Sequence, residues 1–119
     1  MALTKDEAWA IAEEWVAAWN AHDLDRIMGH YDDGIELLSP VAAKLGIKGG
    51  KVKGKKELRA YFQRGLESFP TLFFHLKDVL YGPDSLVLYY SNQKGVYTAE
   101  FMSLSKTGKV AKVVAHYSD

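Results

Sequence analysis

The residues that decide the fold are those at 70–117, PTLFFHLKDVLYGPDSLVLYYSNQKGVYTAEFMSLSKTGKVAKVVAHY. After Pro70 the spacing of apolar residues changes from a helical period of 3.6 to alternation with a period of 2, which is typical of strands. Strands are predicted at 72–80, 86–91, 96–104 and 109–117. The connections between them are too short for a parallel return, which needs a crossover of about a dozen residues. The segment therefore predicts an antiparallel meander of four strands.

The part of the chain before Pro70 is predicted to be mainly helical. Thr4 and Glu7 have the spacing of a capping box, and apolar residues then recur at positions 8, 11, 12, 15 and 19. This spacing predicts one amphipathic helix of about four turns. Asp23 is a candidate cap for a short second helix ending near residue 33. A third helix is predicted between Gly54 and Pro70.

Between the second and third helices the pattern is less regular. Residues 35–39 predict a short strand that ends at Pro40, and the Gly- and Lys-rich stretch 41–54 is interpreted as a loop. Three helices followed by a meander form an α+β pattern, with the helices packed on one face of the sheet. A length of 119 residues predicts a single domain, residues 1–119.

Composition and charge exclude several classes of function. Lys plus Arg and Asp plus Glu each number 15, without a like-charged block, so neither nucleic acid nor a membrane surface is indicated as a partner. The absence of cysteine excludes disulfides, thiolate metal sites and a cysteine nucleophile. No apolar run approaches the roughly 20 residues that span a bilayer, and no signal-peptide pattern is visible. A cytoplasmic location is the expectation.

Short motifs along almost the whole chain resemble a known family. They include WNAHDL at 19–24, HYDD at 30–33 and VKGKKEL at 52–58. With the order of elements, they resemble the SnoaL-like branch of the nuclear-transport-factor-2-like superfamily. The resemblance implies a cone-shaped α+β domain, in which a curved antiparallel (mixed) sheet wraps around the N-terminal helices and encloses an apolar pocket. It also implies a homodimer through the outer face of the sheet.

Ketosteroid isomerase is a relative that the resemblance brings into comparison. It uses an aspartate base on the first strand, a tyrosine donor on the first helix and a protonated acid on a later strand. The resemblance puts Ser39 at the place of the base, Trp15 at that of the tyrosine and Glu100 at that of the acid. A serine with no activating partner cannot abstract a carbon-bound proton near neutral pH, because its pKa is far too high. Steroid-type isomerisation by that mechanism is therefore not expected.

Glu100 is the candidate catalytic residue. It alternates with Met102 and Leu104 on one face of its strand, and an acid in an apolar row is costly to ionise unless it is paired. We expect Glu100 to point into the pocket, to be mostly buried and to have a raised pKa. The alternative is that Glu100 reaches solvent or pairs with a lysine.

The other candidates are ligand-binding residues. Trp15 and Trp19 form an aromatic stripe on the predicted first helix. Such a stripe more often belongs to the core than to a ligand site, but the resemblance implies that this helix is a wall of the pocket. Tyrosine hydroxyls at 31, 61, 90 and 117 are expected to add polar groups to that wall. The predicted ligand-binding residues are Trp15, Trp19, Tyr31, Leu37, Ser39, Met102 and Tyr117.

The four histidines do not have the spacing of a metal site. His22 is expected in solvent, His75 and His116 on the outer face of the sheet, and His30 at the end of the second helix. No pair has HxH or HExxH spacing. Neither a metal nor a cofactor is predicted.

Two classes of function remain open. The first is an enzyme acting on a small, apolar carbonyl or polyketide-like molecule, with isomerase- or cyclase-like acid–base chemistry at Glu100. The second is a non-catalytic homodimer that binds a hydrophobic ligand or serves as an interaction module. In both cases the expected partners are a small apolar ligand and a second copy of the chain. The copies are expected to meet through an apolar outer face that includes Phe73, Tyr97, Phe101 and His116.

Overall fold

The computed structural model of the chain describes residues 2–119. Four α-helices, one 3-10 turn and six strands follow one another along it. They are α1 (Lys5–Asn20), α2 (Leu24–Met28), β1 (Tyr31–Leu38), α3 (Pro40–Lys44), the 3-10 turn (Lys48–Gly50), β2 (Lys51–Lys53), α4 (Lys55–Ser68), β3 (His75–Tyr81), β4 (Ser85–Ser91), β5 (Tyr97–Leu104) and β6 (Val110–Tyr117).

The six strands form one mixed sheet in the order β2-β1-β6-β5-β4-β3. The predicted meander is confirmed, since β3, β4, β5 and β6 pair as antiparallel neighbours. The sheet is completed by β1, which lies parallel to β6 and antiparallel to β2. The α+β class expected from the sequence is therefore correct. No helix within residues 2–119 is long and apolar enough to cross a bilayer.

The first helix follows from its sequence. The Thr4 hydroxyl accepts from the backbone N–H of Glu7, and the Glu7 carboxylate accepts from that of Thr4, so the predicted capping box is present. The buried side of α1 contains four small or β-branched residues and the two tryptophans that complete the stripe: Ala8, Ala12, Trp15, Val16, Ala18 and Trp19. The small residues let α1 approach the sheet closely, and the indole rings fill the space between α1 and the sheet.

Two local predictions between α1 and α4 are wrong. The predicted second helix extends to about residue 33, but α2 ends at Met28 and Tyr31 begins β1. The sequence predicts a loop at 41–54, yet this stretch contains α3, the 3-10 turn and β2. Ser39 caps α3 by accepting from the backbone N–H of Val41, and Pro40 occupies the first turn, where its missing N–H costs nothing. Pro40 therefore starts a helix, while β1 already ends at Leu38.

The register of the sheet sorts its residues into an inner face toward the helices and an outer face. One inner row joins Leu88, Glu100 and Ala115 across β4, β5 and β6, and the next joins Tyr90, Thr98 and Tyr117. These residues are buried except Tyr117, which is half-buried. The inner rows form the floor of a cavity closed by α1 and α4.

Candidate functional site

A cavity of about 480 Å³ lies between the inner face of the sheet and the helices. This volume is within the range of about 300–1,000 Å³ that small-molecule sites occupy. Its residues come from α1, β1, α3, α4, the segment before β3, and the last three strands. They are Trp15, Trp19, Leu37, Ser39, Pro40, Val41, Lys44, Leu45, Tyr61, Phe62, Arg64, Gly65, Ser68, Phe69, Leu72, Phe74, Tyr90, Asn92, Gln93, Lys94, Val96, Thr98, Glu100, Ala115, Tyr117 and Asp119.

Packed aromatic rings build the deep wall of this cavity. Trp15 stacks on Phe74 with ring centroids 5.7 Å apart, and Phe74 contacts Tyr90 at 4.5 Å. Trp19 meets the edge of Phe62 at 4.8 Å. Stacked and edge-on contacts of this kind hold the rings in fixed orientations. The wall is therefore a preformed apolar surface that suits a flat or cyclic molecule.

Glu100 is the one carboxyl group that is buried among residues 2–119, with 7% of its surface exposed. Its neighbours in the same row, Leu88 and Ala115, offer no charge, and its atom Oε2 has no hydrogen-bond partner within the described chain. Burial raises the pKa of Glu100 from its ordinary 4.5 to about 7, and an interaction with the Tyr90 hydroxyl opposes that shift. A lone carboxyl in an apolar wall holds its proton to near neutral pH.

The charge of Glu100 acts on the hydroxyls of four tyrosines. They belong to Tyr31, Tyr61, Tyr90 and Tyr117, and burial together with the negative charge of Glu100 raises the pKa of each. All four phenols are therefore neutral at physiological pH. Because none of them carries a positive charge, the site contains no counter-ion that would keep Glu100 ionised.

The two tryptophans of α1 have different hydrogen-bonding states. Trp15 Nε1 donates to the Tyr31 hydroxyl over 2.9 Å, so this donor is already used inside the protein. Trp19 Nε1 is buried near the same hydroxyl but outside hydrogen-bond geometry, and it has no partner among residues 2–119. A buried donor without a partner costs about 1–3 kcal/mol. Of these two indole N–H groups, that of Trp15 is hydrogen-bonded and that of Trp19 is buried without a partner among residues 2–119.

Six of the eight sequence-predicted site residues lie together around the cavity. They are Trp15, Trp19, Leu37, Ser39, Glu100 and Tyr117. Ser39 caps α3 by accepting from the backbone N–H of Val41, and within residues 2–119 its hydroxyl has no hydrogen bond to a histidine or carboxylate that would activate it as a base. Its hydroxyl interacts with those of Tyr61 and Tyr117 and moderates the raised pKa of both.

Tyr31 and Met102 do not line the cavity, and the prediction that they do is corrected. Tyr31 lies behind Trp15, with its hydroxyl turned to the indole N–H. Met102 is on the same face of β5 as Glu100, but it is completely buried between Leu86 and Val113. Strand alternation gives the face of a residue, while its depth under the helices depends on packing.

Several lining residues were not identified from the sequence. Phe62 lies next to Tyr61 on the apolar stripe of α4, so its helical spacing was an available signal. Phe74 lies within the predicted strand 72–80, but β3 begins only at His75, so strand alternation did not indicate that Phe74 lines the cavity. The rim residues Lys44, Arg64 and Lys94 are exposed side chains on three separate elements, and no local sequence pattern indicates that they converge.

The histidines lie apart from the cavity. His22 was expected in solvent, but it is half-buried, with a φ of 54° and with Nε2 2.8 Å from the carbonyl oxygen of Leu72. This contact fastens the turn after α1 to the segment before β3. His30 Nε2 lies 3.3 Å from Glu14 at the protein surface. No group of three metal-ligating side chains is found within residues 2–119.

The sequence profile of the SnoaL-like domain matches residues 12–118. The chain therefore belongs to the SnoaL-like domain family, and the resemblance inferred from its motifs is confirmed. No curated protein has a matching sequence.

Solved structures share the fold. A SnoaL-like protein of unknown function from Burkholderia thailandensis E264 is 36% identical, covers 100% of both chains and superposes with a TM-score of 0.96. A protein of unknown function with a cystatin-like fold from Methylobium petroleophilum PM1 is 11% identical over 100% of this chain and 80% of its own, with a TM-score of 0.79. A Kribbella flavida DSM 17836 protein provisionally named a ketosteroid isomerase is 12% identical over 96% of this chain and 79% of its own, with a TM-score of 0.75. The last two are similar in fold alone.

Proposed function

We propose that this protein binds a small, largely apolar carbonyl compound in the aromatic cavity, with Glu100 as the group that donates to the carbonyl oxygen. The observation that supports this proposal best is the buried Glu100 carboxyl without a charged partner, in a cavity whose deep wall is built from aromatic rings. A protonated carboxyl in an apolar site is a strong donor toward a neutral oxygen acceptor.

Matched probes test the carbonyl requirement. We expect 2-acetylnaphthalene to bind about tenfold more tightly than 2-ethylnaphthalene at about pH 6, because one hydrogen bond contributes about 1–1.5 kcal/mol. Glu100→Met, which removes the donor, is expected to abolish the preference, whereas Glu100→Gln retains an N–H donor and part of it. Calorimetry measures both affinities. NMR signals of the Trp15 and Trp19 indoles report occupancy, with Trp9, which does not line the cavity, as the internal control.

Equal affinity of the two probes for the unmodified protein would contradict the role of Glu100. Failure of both probes to bind, or shifts confined to the Trp9 signal, would contradict the cavity as the binding site.

Acid–base chemistry is the finer part of the proposal, and the pKa of about 7 at Glu100 favours it. In its ionised form Glu100 takes the proton from the carbon next to the carbonyl. The C–H bonding pair becomes the C=C bond of an enolate and the C=O π pair moves to the oxygen, until Glu100 returns the proton to carbon and both shifts reverse. Bound 2-acetylnaphthalene in D2O would exchange its methyl protons in a Glu100-dependent way if the protein is a catalyst. Binding without exchange would instead identify a non-catalytic ligand-binding module.

We also propose that two copies associate through the outer face of the sheet. A row of apolar residues crosses four strands there in register, joining Leu80, Val87, Phe101 and Val114. Leu80 is 57% exposed, and no charged residue interrupts the row. Tyr89 stacks on Tyr97 beside it, at 5.5 Å. Apolar patches of this kind mark interfaces more often than free surface.

A charge in the middle of this row is expected to separate the copies. Light scattering of the unmodified protein should give twice the chain mass of 13.3 kDa. Phe101→Glu should give the mass of one chain and raise the dissociation constant at least about 100-fold, since two-fold symmetry buries two unpaired carboxylates. The control Ala17→Glu, on the exposed side of α1, should remain dimeric. A single-chain mass for the unmodified protein would overturn the proposal.

A further inference from the structure

The two ends of the cavity differ in charge. Its deep end holds Glu100 among aromatic rings, while its rim carries three cations, Lys44 from α3, Arg64 from α4 and Lys94 from the turn after β4. The opposing acid at the rim is Asp119, which leaves more cations than side-chain carboxylates there. The chain as a whole has a formal net charge of zero, so this excess is local.

The rim cations take part in no ion pair within residues 2–119. The ion pairs within residues 2–119 join Arg26 and His30 to Glu14, Lys51 to Glu36, and Arg59 to Asp25, and they include none of the three. Lys94 instead lies over the ring of Phe69, with 5.1 Å between Nζ and the ring centroid. Exposed cations from three elements, grouped around one opening, favour a negative group that stays close to water.

The deep end excludes such a group. A carboxylate placed beside Glu100 would lose its hydration without gaining a positive partner, because the surrounding titratable groups are neutral tyrosines. A neutral oxygen acceptor suffers no comparable loss. The ligand that suits both ends therefore has a neutral oxygen acceptor at its deep end and a negative charge at its rim end.

We propose that the cavity selects amphipathic monoanions: an apolar ring or chain with a neutral carbonyl at one end and a carboxylate at the other. The carbonyl points to Glu100, and the carboxylate stays at the rim among Lys44, Arg64 and Lys94. This inference deepens the proposed function and rests on it. Beyond the proposed function, this inference specifies that the ligand is a monoanion and that its carbonyl end enters the cavity first.

The experiment compares 6-acetyl-2-naphthoate with its primary amide, which has the same shape and carbonyl but no charge. At about pH 6 and about 0.02 M salt, we expect the carboxylate to bind at least about fivefold more tightly than the amide. About 0.5 M salt should reduce that ratio to below about twofold, since the rim is exposed. The double variant Arg64→Gln/Lys94→Gln should lose the preference, whereas the control Lys5→Gln/Lys106→Gln should keep it.

The outcomes separate the two proposals. Binding of the amide with equal or weaker binding of the carboxylate would overturn the monoanion inference and leave carbonyl binding intact. A carboxylate preference that survives Arg64→Gln/Lys94→Gln would also overturn it. Failure of both naphthalene probes together with 2-acetylnaphthalene would overturn the proposed function itself. Binding of the carboxylate to Glu100→Met with unchanged affinity would show a rim site without the deep contact and would overturn the proposed orientation.

Discussion

The unfolding free energy of this protein should fall by about 3 kcal/mol relative to that of Glu100→Gln as the pH rises from about 4.5 to about 8. The pKa of Glu100 is raised from 4.5 to about 7 in the folded protein, so the folded state binds more protons than the unfolded state between these values. The stabilising contribution is thus complete below the ordinary pKa and is lost as the pH passes the folded pKa. Urea denaturation at a series of pH values measures it.

The difference between the two proteins isolates Glu100 from other titrating groups. The groups that face this carboxyl are Tyr31 on β1, Tyr61 on α4, Tyr90 on β4 and Tyr117 on β6, and their pKa values are all raised, so they do not ionise in this range. Glu13→Gln, on the exposed side of α1, is the matched control and should give a profile parallel to that of the unmodified protein. A difference profile that is flat, or that rises with pH, would contradict the buried neutral carboxyl.

Gly50→Ala is expected to destabilise the protein by about 3 kcal/mol or more, whereas Gly49→Ala should cost about 1 kcal/mol. Both glycines have a positive φ, 63° at Gly50 and 65° at Gly49, so both substitutions carry the same backbone penalty. The two positions differ in the space available for a Cβ atom. A Cβ on Gly50 would lie 2.6 Å from the carbonyl oxygen of Ser39, while one on Gly49 would meet nothing within 4 Å. Denaturation at one fixed protein concentration gives both values.

Gly50 also affects the cavity, because its carbonyl accepts from the Ser39 backbone N–H over 2.9 Å. Moving Ser39 disturbs its interactions with the hydroxyls of Tyr61 and Tyr117. Gly50→Ala should therefore also shift the NMR signals of these tyrosine rings, and Gly49→Ala should leave them in place. Equal costs for the two substitutions would show that the close approach of Gly50 to Ser39 is absent.

The sequence was sufficient for the fold wherever a local pattern determines structure. The capping box at Thr4 and Glu7 and the alternation after Pro70 depend on neighbours in the chain, and both predictions are confirmed. It failed at 41–54, where a strand of three residues, β2, is formed by pairing with β1. Such a short element has too few residues for a period, and it exists because its partner strand supplies the hydrogen bonds.

The same division applies to the site. The sequence indicated that Glu100 would be buried, because its strand neighbours are apolar, and the structure shows a buried carboxyl at the cavity. Which indole N–H is free could not be predicted, since this depends on the position of the Tyr31 hydroxyl across the core. The grouping of Lys44, Arg64 and Lys94 likewise results from tertiary structure. Ligand binding, catalysis and dimerisation stay predictions.

The parallel pairing of β1 with β6 makes the order of synthesis matter for this chain. On the ribosome β1 emerges before its central neighbour in the sheet, Val110–Tyr117, which follows all the other strands of the sheet along the chain. Until β6 is made, the aromatic stripe of α1 faces an incomplete sheet. Pairing β1 with β6 also closes the long stretch of chain between them, which is entropically costly. Folding is expected to be slow for a chain of this size, as in other folds rich in distant contacts. We therefore expect the tryptophans of α1 to stay accessible in the nascent protein until β6 inserts between β1 and β5.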